Sequence, residues 1–282
     1  MLPFLAFPKP ICRVPKKVMS QSSAIIYAIA NQKGGVGKTT TAINLAALIA
    51  AQNKRVLIID SDPQANATSS LGVEVPENGT TLYDVLVSKR LLDEAIQSTY
   101  RPQLFVVPST PDLAAAEVEM VQFLARELVL KKAIKALTAT FDFIFIDTPP
   151  SLGVLTINAL TAASHGVIIP VQSEYLALEG LGHLLNTIQL IRDNLNEDLR
   201  IAGVLMTMFD GRTNLATQVA NEVRIYFPDE TFETVVPRNI RLSEAPSHGE
   251  DILTYAPSSS GSVAYQAVTK ELLHRSEKFL VK

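Results

Sequence analysis

Seven short apolar runs recur along the chain, at 25–30, 55–60, 104–108, 141–147, 166–170, 201–208 and 233–237. Most are separated by stretches long enough to be helices, and this alternation limits the fold more than any other feature. Several runs, FDFIFID among them, are apolar without interruption, the pattern of strands covered on both faces. The segments 112–137, 177–195 and 215–227 carry apolar residues at helical spacing, and a closing helix is predicted over 262–279. Strand and helix in this order require right-handed crossovers. The expected class is α/β, a mostly parallel twisted sheet with helices on both faces. No repeat, low-complexity tract or linker divides the 282 residues, so one domain is expected over 23–282. Ligands of such sheets bind outside the carboxyl ends of the strands, which makes the residues after each apolar run the ones to search for chemistry.

Directly after the first run comes Asn31-Gln32-Lys33-Gly34-Gly35-Val36-Gly37-Lys38-Thr39-Thr40, followed by a predicted helix over 41–51. Glycines let the backbone turn its N–H groups inward, and the helix start adds positive potential, so a polyphosphate is cradled by Gly34, Gly35, Val36 and Gly37. Lys38 supplies a point charge for β- and γ-phosphates. The Thr39 hydroxyl is placed to ligate Mg²⁺, with Thr40 beside it at the opening of the helix. A glycine turn that merely caps a helix would not need Gly-Lys-Thr in this strand-before, helix-after context.

The second run ends in Asp60-Ser-Asp62-Pro. Two carboxylates at the end of a strand face the phosphate site, where they hold Mg²⁺ waters or orient the attacking water. The fourth run ends in Asp147, followed by Pro149 and Pro150. An acid after so apolar a strand suits a magnesium site reached through water. Met208 and Pro237 end two further runs and are candidates to flank the adenine.

The loop departs from the common GxxxxGK[ST] pattern, with Gln32 where the first glycine belongs and Lys33 after it. KGGVGKTT resembles the deviant Walker A branch of the P-loop nucleotide hydrolases. IDSDPQANATSSLG, IDTPPSLGVLTINAL, PVQSEYLALEGL and VVPRNIRLSEAPSHG are similar to segments of ParA-type (Soj-like) partition ATPases. The likeness covers nearly everything from Ala24 to Phe279. It implies ATP and Mg²⁺ as cofactors, and a homodimer formed on ATP binding in which Lys33 crosses to the partner's nucleotide. It implies that Asp62 positions the hydrolytic water, with Lys33 and Lys38 completing the catalytic set, and that Thr39, Asp60 and Asp147 serve the metal. It also implies non-specific double-stranded DNA, held by Arg212 and Arg241 with Arg238 as a further candidate, and a ParB-like centromere-binding partner that stimulates slow hydrolysis. A nucleoid-associated, cytoplasmic protein follows.

Composition narrows the relatives. The formal charge is −3, so attraction to nucleic acid or anionic lipid must come from a local patch. The single cysteine, Cys12, excludes an intramolecular disulfide and the paired cysteines of iron–sulfur carriers. No apolar run reaches the roughly 18 residues of a membrane span. A MinD-like membrane cycler, the alternative function, needs a lipid-binding last helix. Here Val268, Leu272 and Leu273 are expected to face the core, and Glu271 and Glu277 suit an anionic surface poorly. A nucleotide-dependent scaffold without hydrolysis is the other alternative. His165, His183, His248 and His274 show no metal-binding spacing and read as structural. Residues 1–22 carry four basic residues, no acid, and charges placed after the apolar stretch, the reverse of a secretory signal. They read as a disordered extension, or as a start assigned too early with Met19 as the beginning.

Overall fold

The computed structural model describes residues 24–174 and 177–280, so the expected extension at 1–22, including Cys12, lies outside them. The strands are β1 (Ile25–Ile29), β2 (Val56–Asp60), β3 (Gln97–Ser98), β4 (Leu104–Val107), β5 (Phe143–Asp147), β6 (Gly166–Gln172) and β7 (Ile201–Thr207). They form one sheet in the order β3-β4-β2-β5-β1-β6-β7, parallel throughout except for β3 against β4. Helix α1 (Lys38–Ala50) follows β1. The short α2 (Asn66–Ser70) and α3 (Leu82–Leu86) lie between β2 and β3, and α4 (Leu113–Glu119) and α5 (Val129–Lys135) between β4 and β5. The crossovers into β6 and β7 are α6 (Val154–Ala162) and α7 (Ala177–Asn194). After β7 come α8 (Asn214–Tyr226), α9 (Ile240–Glu244), α10 (Ile252–Tyr255) and α11 (Ser260–Leu280).

The uninterrupted apolar runs have the expected cause. In β1, Ile25, Tyr27 and Ile29 face α1 and α11, while Ile26 and Ala28 face the layer of α3 to α8. Every residue of β1, β2 and β5 is buried. Each large apolar side chain so covered contributes about 1.5–3 kcal/mol, which fixes the register of the central strands. In α11, Val268 and Leu272 are fully buried and Leu273 packs partly against the same core, as the sequence predicts.

Two expected elements differ. The helix predicted over 112–137 is broken: α4 stops at Glu119, tight turns span 120–128, and α5 resumes at Val129. A continuous helix would carry Glu127 onto the stripe of Leu113, Ala116 and Met120. The chain instead turns out through Ala125 (φ 54°), and Glu127 pairs with Arg126 at 3.0 Å. The run 233–237 is not a strand. Beside it, Thr231 bridges Val204 of β7, the Val236 N–H donates to the Met206 carbonyl at 2.8 Å, and Pro237 bridges Phe209 just beyond β7. The N–H groups of Glu233 and Thr234 donate to the Glu271 carboxylate of α11 (3.0 and 3.4 Å), and Pro237 has no N–H to donate.

The same region locks α11 to the sheet. The Arg275 guanidinium lies 4.5 Å from the centre of the Phe232 ring, donates to the carbonyls of Glu230 (2.8 Å) and Thr231 (2.9 Å), and pairs with Glu271 at 2.7 Å. Beneath the ring is Gly203 of β7, where a Cβ would overlap the Phe232 ring carbons. Because Arg275 holds the ring from the other side, it cannot retreat. Gly203→Ala is therefore expected to destabilise the protein by about 1–3 kcal/mol, the usual range for overpacking. Urea denaturation checks this: the midpoint falls at unchanged slope. An unchanged midpoint would show that the ring gives way freely.

Candidate functional site: a nucleotide cavity at the carboxyl edge of the sheet

The loop between β1 and α1 follows from its glycines. Gly35 and Gly37 have φ of 73° and 85°, a region that side chains strongly disfavour, and Gly37 leads directly into α1. The first turn of α1 carries no acidic residue, so its N-terminal potential is uncancelled. The loop is braced from a distant strand: the Thr207 hydroxyl at the end of β7 donates to the Val36 carbonyl at 2.8 Å.

These elements enclose a cavity of about 360 Å³ lined by Gly34, Gly35, Gly37, Lys38, Thr39 and Thr40, with Asp62, Gln64, Asn66, Pro150, Met208 and Pro246 on its other sides. A recess of about 210 Å³ shares Gly37, Thr40, Met208 and Pro246 with it, and adds Pro237, Arg238 and Leu242. Met208 (φ 49°) turns out of β7 at the junction. The structure thus brings together the loop, Asp62, Met208 and Pro237. Lys33, next to Gly34, is not among the lining residues, and its ammonium pairs with Glu174 at 2.8 Å.

Asp147 ends β5 at the centre of the sheet, in register with Ile29 on one side and Asp60 on the other. It is fully buried. Its Oδ2 accepts from the Thr39 hydroxyl at 2.7 Å, and its Oδ1 is a buried acceptor with no hydrogen-bond donor. Burial, and then repulsion from Asp60, push its carboxyl up to about 8, against the Thr39 bond and the Lys38 charge. Burial likewise lowers Lys38, against the pull of Asp147 and Asp62. Asp60, also buried, is raised to about 6 by burial. Its Oδ2 takes the Thr68 N–H and hydroxyl (2.8 and 2.7 Å), and its Oδ1 takes the Asp62 N–H (3.2 Å). Asp60 therefore shapes the 61–68 turn, with most of its acceptor capacity committed to the protein. Asp62 accepts from the Gln64 N–H through Oδ1 at 2.9 Å.

An orphaned carboxylate oxygen beside a hydroxyl and two further acids fits a small divalent cation. Among the described residues no three carboxylate, imidazole or thiolate groups form a cage. Mg²⁺ does not need one, since it keeps several waters and takes phosphate oxygens.

Of the DNA candidates, Arg238 lines the recess and Arg212 and Arg241 do not. Arg212 follows β7 and Arg238 donates its N–H to the Phe209 carbonyl at 3.2 Å, which puts the two on adjoining loops. Arg212 is held by Asp210 through Nε (2.8 Å) and Nη2 (2.6 Å), and Arg241 by Glu244 at 2.8 Å. The exposed Arg238 side chain has no ion pair among the described residues. Arg212 and Arg241 thus carry carboxylates of their own chain. Thr207, Asn66 and Pro246 are site residues that the sequence does not announce. Asn66, within the quoted IDSDPQANATSSLG stretch, and Pro246, within VVPRNIRLSEAPSHG, carried a signal, and Thr207 carried none.

A phosphate loop opening α1 at the carboxyl edge of a parallel sheet makes the molecule a P-loop ATPase. A family model described as an AAA domain matches residues 24–201. The sporulation initiation inhibitor protein Soj of Bacillus subtilis is 54% identical over 247 residues, 88% of this chain and 97% of that protein. The chromosome partitioning protein ParA of Myxococcus xanthus is 52% identical over 250 residues, 89% of this chain and 88% of that protein. Among solved structures, cobyrinic acid a,c-diamide synthase from Mycobacterium smegmatis with bound ATP analogue and magnesium superposes with a TM-score of 0.79. It is 35% identical, over 90% of this chain and 96% of that one. The chain belongs to the ParA/Soj family of chromosome-partitioning ATPases.

The raised Asp147 carboxyl has a consequence for the nucleotide-free fold. An unfolded carboxyl ionises near 3.8 and the folded one near 8, so folding takes up a proton between these values. Its contribution to stability falls as pH rises from about 4 towards about 8. Asp147→Asn removes that cost. The variant is expected to melt higher than wild type without nucleotide, by a margin wider at about pH 7.5 than at about pH 5.5. A margin that does not grow with pH would show that Asp147 is not held protonated.

Proposed function

We propose that ATP-bound copies of this chain pair through Lys33, that the pair binds double-stranded DNA without reading sequence, and that hydrolysis releases it. The observation that carries the reading is the place of Lys33. The loop residues from Gly34 to Thr40, except buried Val36, line the cavity, and Lys33 does not. A cation next to a phosphate loop but outside its lining is placed to serve a nucleotide other than its own.

Within the site, the loop N–H groups and Lys38 take the β- and γ-phosphates, and the Thr39 hydroxyl and Asp147 hold Mg²⁺, with Asp60 supporting them from behind. The metal neutralises charge developing on the transferred phosphoryl group. Asp62, with Oδ1 fixed by Gln64, presents its second oxygen to the attacking water. Met208 and Pro237 flank the base. Family membership supports a ParB-like protein as the stimulating partner and the nucleoid, in the cytoplasm, as the place of action. The buried apolar face of α11 supports this reading over a membrane cycler. Among the described residues no helix is long and apolar enough to cross a membrane.

The test uses Asp62→Ala, expected to bind ATP and pair while releasing phosphate about a hundredfold more slowly or less. In that background, a salt titration on two unrelated duplexes compares Arg212→Ala, Arg238→Ala and Arg241→Ala. Each is expected to weaken binding equally on both duplexes. Each flattens the log–log slope by about two, one contact from each member of the pair. Unchanged slopes, or a loss confined to one duplex, would move the DNA surface elsewhere. Equal phosphate release by parent and variant would remove Asp62 from the reaction.

A further inference from the structure

The end of β6 carries a polar cluster that the nucleotide cavity does not use. Nζ of Lys33 donates to Oε2 of Glu174 at 2.8 Å, and Nε2 of Gln172 donates to Oε1 of the same carboxylate at 2.6 Å. The lysine backbone is tied to the same strand. Its N–H donates to Oδ1 of Asn31 at 3.0 Å, while Nδ2 of Asn31 donates to the Pro170 carbonyl at 2.7 Å. Both ends of Lys33 are thus fastened within its own chain. The fastening at the charged end is the open one, with the Lys33 and Glu174 side chains 32% and 48% exposed.

We propose that Glu174 is a positioning residue that parks the Lys33 ammonium on its own subunit, and that ATP-driven pairing exchanges this carboxylate for the triphosphate of a second copy of this chain. The inference rests on the proposed pairing through Lys33. The exchange follows from the charges. An ammonium is a point charge on a flexible stem, and it leaves a single carboxylate for a triphosphate that carries several negative charges. An exposed pair is weak, so the parked state delays pairing without forbidding it. Gln172 keeps the carboxylate aimed at the same place when the lysine leaves, so the ammonium has a site to return to. Once a second copy brings its nucleotide to Lys33, the Glu174 charge also opposes it. Both effects have the same sign: the carboxylate raises the protein concentration needed for pairing.

The experiment uses full-length protein carrying Asp62→Ala, with Glu174→Gln and Glu174→Asp added separately. Sedimentation at saturating ATP and Mg²⁺ gives the dissociation constant of the pair. Binding of a fluorescent ATP analogue to dilute protein gives the affinity of the single chain. Glu174→Gln is expected to pair about three- to fivefold more tightly, the range of an exposed ion pair. Affinity of the single chain for the analogue stays unchanged. The gap closes in high salt, where exposed charges are screened. Glu174→Asp keeps the charge and stays within about twofold of the parent. Unchanged or weaker pairing by Glu174→Gln, with the parent pairing normally, overturns the parking role and leaves the ATP-driven pair standing. Failure of the parent to pair with ATP overturns both.

Discussion

The site is organised around a buried carboxyl whose negative charge the protein alone supports only in part, so that its pKa is pushed up to about 8. Asp147 has no exposure, one protein donor on one oxygen, none on the other, and a second acid beside it in register. Removing a carboxylate from water costs several kcal/mol unless other groups replace the solvent. Lys38 and Thr39 replace part of it and are themselves drawn inward. The group is held in place by β5, which lies between β1 and β2, pairs in register with both, and is buried at every residue. A cation held beside Asp147 would offset the burial and the Asp60 repulsion that keep it from ionising.

Away from that centre the character changes. Lys33, Arg212 and Arg241 are each exposed to some degree, and each holds a carboxylate of its own chain. Such pairs contribute little and break readily. The molecule therefore combines an interior that fixes geometry with a rim whose charges can change partners. This division suits a protein whose chemistry must be exact in place and whose attachments must be temporary.

Much of this was legible from local sequence. Uninterrupted apolar runs gave away strands covered on both faces, and the phosphate loop is a contiguous stretch whose spacing carries its geometry. What stayed hidden depends on residues far apart in the chain. Thr207 braces Val36 across 171 positions, and Glu271 satisfies the backbone of 233–234 from a helix 37 and 38 residues on. Hydroxyls and surface glutamates are too common for their type to reveal such tasks. Asp60 illustrates the limit: its place at a strand end marked it for the metal, and the Thr68 groups that donate to it come from eight residues on, in α2. The predicted helix over 112–137 breaks where a continuous helix would carry Glu127 onto the buried stripe, and spacing alone does not weigh that charge.

The segment 231–237 beside β7 matters in a way unconnected to nucleotide. A sheet of seven strands has two margins, and an open margin is a template on which another chain can add a strand. One margin here is β3, only two residues long. At the other, the N–H groups of Phe232 and Val236 bond the Val204 and Met206 carbonyls of β7, and Glu271 occupies the N–H groups of Glu233 and Thr234 between them. Neither side offers a long row of unpaired backbone. For a chain proposed to pair reversibly on DNA, that closure keeps pairing from running on into strand-by-strand fibre growth.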